Sequence, residues 1–469
     1  MLTKLPPFTH QQHAYDRYKD KPYGALFCEM GTGKTKISLD IMLNSSEEGA
    51  LILAPNGLHL NWFHKEVPTH AHPSKTPLMY CWNGKPTSKK AQLALKAFLA
   101  AEHPFKMFLM NVEAIRTATG FKPAEDFLKS LKSSHILIDE STCIKNPTAK
   151  QTRLAMKLAK LATRKWVLNG TPITQGPLDL FSQCKFLDPK AIPYSSYTAF
   201  KATFAMEERV TFQNRTYNKI IGYKNIERLT EEIKPFSLKL DKADCLDLPT
   251  KTFVDRLVEL TPAQRNVYKT MKDLCIAQMD DGTIVTAQEA ITRLLRLHQI
   301  LTGFLIDEFD VVHDIPNNRM SALLSIAEQS KPLVIFCAYR HNVTAVKREL
   351  SKVYGEDSVV TYDGGTTKKD RVLAVERFQS GDASFFVGTS AAAKGITLHK
   401  AHTMVYYSLN YDSGTRMQSQ DRIHRIGQTQ PCTYIDLITP DTIDQQIQQA
   451  LQMKKDISTM VLDDLRALL

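Results

Sequence analysis

The chain has 469 residues, 43% hydrophobic and 23% charged, a balance that fits a globular protein too long for one core and suited to two or three domains. No apolar stretch approaches the roughly 20 residues that span a bilayer, and Met1 to His10 lacks the apolar run of a secretory signal, so the expectation is a cytosolic protein with no membrane partner. Sixty Lys and Arg against 49 acidic residues, net +11, favour a polyanionic partner, and the eight cysteines stand singly, with no C-x-x-C pair for zinc or redox chemistry.

The residues from Phe8 to Tyr18 read as a first helix carrying Gln11 and Gln12. A glutamine amide pairs with both the N6 donor and the N7 acceptor of adenine, so a glutamine close before a nucleotide loop suits selection of ATP over GTP. Such a loop follows. The apolar run Ala25 to Cys28 predicts a strand, and Glu29, Met30, Gly31, Thr32, Gly33, Lys34 and Thr35 then lead into a helix pattern over Ile37 to Leu43. Strand, glycine turn and helix form a phosphate cradle. Gly31 and Gly33 let backbone N–H groups converge on phosphate oxygens, Lys34 neutralises β/γ charge, and the Thr35 hydroxyl stands where it ligates Mg²⁺. Cys28 occupies the place of the first glycine in the full Walker pattern.

Apolar runs then recur between helical segments at Ala50 to Ala54, Met107 to Met110, His135 to Ile138 and Lys165 to Leu168. Alternation of this kind predicts a parallel sheet with helices on both faces and its ligand at the carboxyl ends of the strands. Asp139 and Glu140 follow directly on one of these runs. One carboxylate there suits the Mg²⁺ shell, Asp139, and the next suits orienting and deprotonating an attacking water, Glu140.

Between about 191 and 242 the strand rhythm stops and aromatic and basic residues mix, among them Tyr194, Phe200, Phe204, Tyr217 and Lys219. The expectation is a helical protrusion over about 190–242 in preference to a base-stacking platform, because the aromatics show no spacing that picks out one face. A second alternation follows, at Leu333 to Cys337, Val359 to Tyr362, Phe385 to Val387, Met404 to Tyr407 and Thr433 to Ile438, with no second Gly-x-Gly-Lys-Thr. Two α/β lobes with one phosphate loop imply that the second lobe supplies groups across a cleft. Gln418, Arg422 and Arg425 sit at i, i+4 and i+7, one face of a helix, and two guanidiniums suit the charge on a transferring γ-phosphoryl group.

Taken together, Leu51-Ile52-Leu53-Ala54-Pro55 with Asn61-Trp62 and Glu66, Asp139-Glu140 with Ile144-Lys145-Asn146, Leu168-Asn169-Gly170-Thr171-Pro172, and Gln418 to Gln428 ending in Ile-Gly-Gln resemble the Swi/Snf-like branch of superfamily-two DNA translocases. Gly388-Thr389-Ser390 through Gly395 to Leu398 is similar to that family's motif V, and His10-Gln11 with Ala14 to its glutamine motif, which singles out Gln11. Ser141-Thr142 stands where the family has Ala-His, and Thr397 where it has Asn. The resemblance implies two tandem RecA-like lobes. Their spans are 1–247, and 248–469 with a helical insertion about 262–300 and a C-terminal brace helix from Asp441.

It further implies an ATP- and Mg²⁺-dependent motor of the short phage or bacterial type, monomeric, moving on double-stranded or branched DNA in replication, recombination or repair. Lys34, Glu140, Arg422 and Arg425 would be catalytic, and Gln11, Met30 to Thr35, Gln418 and Gly395 would hold nucleotide. A strand-separating or fork-remodelling DNA helicase and a nucleotide-gated DNA-binding scaffold with uncoupled hydrolysis are the alternatives.

Overall fold

The computed structural model describes residues 2–212, 215–280, 287–307, 309–393 and 395–462. Two compact units divide the chain, one of Met1–Glu208, Lys219–Asp247 and Lys454–Leu469 and one of Arg209–Asn218 and Leu248–Met453.

The first unit is built on seven strands, β1 Tyr23–Cys28, β2 Gly49–Ala54, β3 Leu78–Cys81, β4 Lys106–Asn111, β5 His135–Asp139, β6 Arg164–Leu168 and, after a hairpin described below, β9 Ser237–Leu240. They lie in the order β3-β4-β2-β5-β6-β1-β9, every neighbouring pair parallel. Period-two alternation sends Phe27, Leu51, Leu53, Phe108, Ile136 and Val167 into the core on one face of the sheet. Leu26, Ile52, Leu109, Leu137, Trp166 and Leu168 enter the core on the other. A strand buried on both faces has no polar side to alternate with, which is why these strands read as continuous apolar runs.

The 190–242 segment is not a helical protrusion. A helix Tyr197–Phe204 leads into β7 Ala205–Phe212 and β8 Arg215–Tyr223, a two-stranded ribbon, and a helix Ile226–Ile233 then leads to β9 at the sheet edge. Val210, Thr211, Thr216, Tyr217, Ile220 and Ile221 are β-branched or aromatic residues, which lose side-chain freedom in a helix and fit a pleated ribbon. The aromatics of the segment divide accordingly. Tyr194, Phe200 and Phe204 are buried, with ring centroids 4.8–5.4 Å apart, whereas Tyr217 is 53% exposed on the ribbon.

In the second unit the strands are β10 Lys251–Leu257, β13 Leu333–Phe336, β14 Val359–Tyr362, β15 Phe385–Gly388, β16 Thr403–Tyr406 and β17 Cys432–Ile438, with β11 Phe304–Ile306 and β12 Val312–Asp314 forming a separate antiparallel pair. The six-stranded order is β10-β17-β16-β13-β15-β14, again all parallel. Helices Pro262–Asp280 and Ala287–Leu301 come between β10 and β13 in the chain, and Ile443–Leu462 follows β17. No helix among the described residues is long and apolar enough to cross a membrane.

Candidate functional site

At the carboxyl end of β1 the chain turns through residues 29–33 into the helix Lys34–Leu43. Gly31 (φ 94°) and Gly33 (φ 88°) both adopt the left-handed backbone that a side chain disfavours. Lys34 opens the helix, so the loop ends on N–H groups that have no partner within the helix and on the positive end of its dipole. Thr32 is fully buried, and its hydroxyl donates to Glu29 O (2.8 Å). The Cys28 thiol beneath is also fully buried, and burial pushes its pKa up, so it stays protonated.

Gln11, on the helix Thr9–Tyr18, lies directly against this loop. Its Nε2 donates to Thr32 O (3.3 Å) and its Oε1 accepts from Phe8 N (3.1 Å), while the Gln12 side chain reaches only the exposed Asp16 (2.9 Å). A Cβ at Gly33 would clash with Gln11 Nε2. Gly33→Ala is therefore expected to lower the stability of the first unit by about 1–3 kcal/mol, from the left-handed backbone and the displaced amide bond together. Urea unfolding followed by tryptophan fluorescence measures this; an unchanged midpoint would mean that the loop and Gln11 are not packed as a unit.

β5 delivers the acidic pair. Asp139 (2% exposed) and Glu140 (3%) are both buried, an expensive place for carboxylates. Burial foremost, and then the Glu140 charge, raise the Asp139 pKa to about 6, with Lys34 pulling the other way. Asp139 Oδ2 accepts from the buried Trp62 indole (2.9 Å) and Oδ1 from Glu140 N (3.0 Å). Glu140 itself takes a left-handed backbone, φ 52° and ψ 59°. Trp62 opens a π-helical turn, Trp62–Glu66, inside the helical run 58–70. The Asn61-Trp62 motif does not by itself show what this tryptophan does; the readable cue is that a buried indole N–H needs an acceptor.

Hard oxygen donors suit Mg²⁺, which keeps waters and takes one or two carboxylates beside phosphate oxygens. Asp139 and the Thr35 hydroxyl fit that donor set. Among the described residues no cluster of three or more His, Cys, Asp or Glu side chains exists to hold a metal by protein ligands alone.

In the second unit the helix bearing Gln418 ends at Gln420, so Gln418, Arg422 and Arg425 do not share one helical face. The i, i+4, i+7 spacing presumes a continuous helix, and here the chain leaves the helix at Asp421. The two guanidiniums still converge: Arg422 donates to Ile396 O (2.9 Å) and Gln418 O (2.9 Å), and Arg425 to Ile396 O (3.3 Å) and Thr397 Oγ1 (2.6 Å). Gly395, adjacent to this carbonyl, has φ 74°. Lys394 lies outside the described residues.

Residues 11–305 match the SNF2-related domain, and residues 317–427 match the helicase conserved C-terminal domain. The chain belongs to the SNF2-related family. Gln11, the 29–35 loop and the acidic pair fall in the first matched span of this SNF2-related chain, and both arginines in the second. It is 24% identical over 455 residues to the Mycoplasma genitalium protein named uncharacterized ATP-dependent helicase MG018, covering 94% of this chain and 40% of that one. To the Bacillus subtilis protein YwqA, whose name proposes an ATP-dependent helicase/translocase, it is 25% identical over 484 residues, covering 97% and 49%. The chain thus spans less than half the length of these curated relatives. Among solved structures it is similar to the Sulfolobus solfataricus SWI2/SNF2 ATPase core in complex with dsDNA, at 22% identity, a TM-score of 0.42, and coverage of 99% of this chain and 97% of that one.

Proposed function

We propose that this chain is an ATP-driven DNA translocase. The observation that carries the reading is the buried Asp139–Glu140 pair at the end of β5, in a sheet whose β1, separated from β5 by β6 alone, feeds a glycine loop into a helix N-terminus. Two buried carboxylates side by side cost stability, and a cation held between protein and phosphate oxygens is what offsets such a cost.

In this reading the 29–33 amides and Lys34 bind the nucleotide phosphates, and Thr35 and Asp139 hold Mg²⁺, which neutralises phosphate charge when bound. Glu140 accepts the proton of the attacking water. Arg422 and Arg425 stabilise the charge of the transferring phosphoryl group. Gln11 offers adenine what its contacts with Thr32 O and Phe8 N leave over, a second N–H on Nε2 and a second lone pair on Oε1. DNA is a polyanion that fits the net charge of +11, and the relatives' names, helicase and helicase/translocase, point to a nucleic-acid partner.

Strand separation is the second reading, favoured by the β7–β8 ribbon. Met206 (41%), Tyr217 (53%) and Ile221 (58%) stand exposed on it, and exposed apolar side chains of this kind wedge between base steps.

The deciding experiment is steady-state ATP hydrolysis without nucleic acid and with single-stranded, double-stranded and forked DNA, using Lys34→Ala as the blank. Stimulation by plain duplex supports tracking on double strands, and a preference for forks shifts the reading to branch remodelling or strand separation. No DNA-dependent hydrolysis in any arm would leave only the scaffold reading. DNA affinity is expected to fall at least about tenfold between roughly 50 and 200 mM salt, because phosphate contacts release counterions. A flat response would count against a motor that follows the backbone.

A further inference from the structure

The left-handed backbone at Glu140 costs roughly 1–2 kcal/mol for a residue with a side chain, so it persists only where its surroundings over-determine it. The next residue shows what does this. Ser141, Asn169 and Gln183 are all fully buried. Gln183 Nε2 donates to Pro172 O (2.9 Å) and Asp179 O (2.8 Å), which uses both amide hydrogens and leaves Oε1 facing Ser141. The 2.5 Å contact between Ser141 and Gln183 is therefore donated by the serine hydroxyl. Its oxygen in turn accepts from Asn169 Nδ2 (3.3 Å), and Asn169 Oδ1 accepts from Thr171 N (2.8 Å). Every hydrogen along this line has one direction.

A second tie closes the far side of the same turn. Lys145 Nζ donates to Thr174 Oγ1 (2.6 Å) and lies 3.5 Å from Asp179 Oδ2. That carboxylate oxygen also receives Thr174 N, Thr174 Oγ1 and Gln175 N, each at 2.9 Å. The turn after β5 is thus fastened at Ser141 and at Lys145 to the segment after β6. A fully satisfied polar network in a dry interior fixes orientation as apolar packing cannot.

We propose that Ser141 and Gln183 are positioning residues that hold Glu140 where its carboxylate meets the attacking water. The inference rests on the hydrolysis reading above and assigns the Ser141 departure from the family pattern a partner of its own, Gln183. Ser141 and Gln183 act on turnover and not on nucleotide binding.

The test compares wild type, the Lys34→Ala blank, Ser141→Ala, Gln183→Leu and the double variant in steady-state ATP hydrolysis, at a temperature where circular dichroism shows each to be folded. Each single variant is expected to lower kcat about tenfold with KM within about twofold. The double variant is expected to be no slower than the slower single, because both act through one bond. Should Gln183→Leu not fold, Ser141→Ala alone decides by the same split between kcat and KM, since it removes one oxygen atom. Singles with wild-type kcat, a loss confined to KM, or a double whose loss is the product of the two singles would overturn the proposal. Wild-type turnover no higher than the Lys34→Ala blank would remove the hydrolysis reading, and this inference with it.

Discussion

Replacing Glu140 by glutamine is expected to lower steady-state ATP hydrolysis by about 10²–10⁴-fold, the range for removal of a positioned general base, while ATP still binds. The amide keeps the shape of the buried carboxylate, so the left-handed turn and its ties to Gln183 and Thr174 have no reason to move. What is lost is the ability to accept a proton from water. The effect on Asp139 runs in the opposite direction. Part of the rise in its pKa to about 6 comes from the Glu140 charge, and a neutral neighbour lets that pKa fall, so Asp139 is ionised over a wider pH range. Binding of Mg²⁺ and nucleotide is therefore expected to hold steady or tighten in the variant, where Lys34→Ala loses it. Parallel measurement of nucleotide affinity and turnover separates the two. Normal turnover in Glu140→Gln would take the base role away from this residue; loss of affinity would place it in ground-state binding.

The parts of this molecule that could be read in advance are those whose cause is local. β2, β4, β5 and β6 each carry a doubly buried apolar run, and the sequence marks each to within a residue or two. Lys34, Asp139 and Glu140 announce themselves because loop and acidic pair directly follow strands. Edge strands are harder: every residue of β10 is exposed, so it shows no apolar run, and β9 has only four residues. The β7–β8 ribbon was hidden by its mixed composition, which lacks a buried face to set a period.

Partners distant in sequence stay illegible for a different reason. Trp62 meets Asp139 across 77 residues and Ser141 meets Gln183 across 42, and only the parallel order of β2, β5 and β6 brings those segments together. The spacing of Gln418, Arg422 and Arg425 misled because periodicity assumes a helix that continues; the arginines converge instead through the Ile396 carbonyl.

Removing the carboxylate of Asp444 is expected to destabilise the second unit by about 3–5 kcal/mol, the cost of leaving a buried charge without its partner. Arg319 (1% exposed), on the helix Asn318–Gln329, donates to Tyr407 O (2.7 Å), Leu437 O (3.1 Å) and Thr439 Oγ1 (3.0 Å), and pairs with Asp444 Oδ2. Asp444 (0% exposed), on the helix Ile443–Leu462, also accepts Thr439 N (3.0 Å), so one ion pair joins two helices to the chain just beyond β16 and to the end of β17.

His298 Nε2 lies 3.9 Å from Asp444 Oδ1. Burial, with Arg319 assisting and Asp444 opposing, lowers its pKa from 6.5 to about 4. A depressed pKa means that His298 contributes its full share of stability above about pH 6.5 and loses it as the pH falls towards 4. In Asp444→Ala the opposing charge is gone, so at neutral pH His298 stays neutral and Arg319 alone carries the penalty. The three tryptophans, Trp62, Trp82 and Trp166, all lie in the first unit, whereas circular dichroism follows helices in both. The expected result in Asp444→Ala is a dichroism transition at lower urea than the tryptophan transition, and its partial recovery when Arg319→Met is added. Coincident transitions at the wild-type midpoint would show that the pair does not hold these elements together.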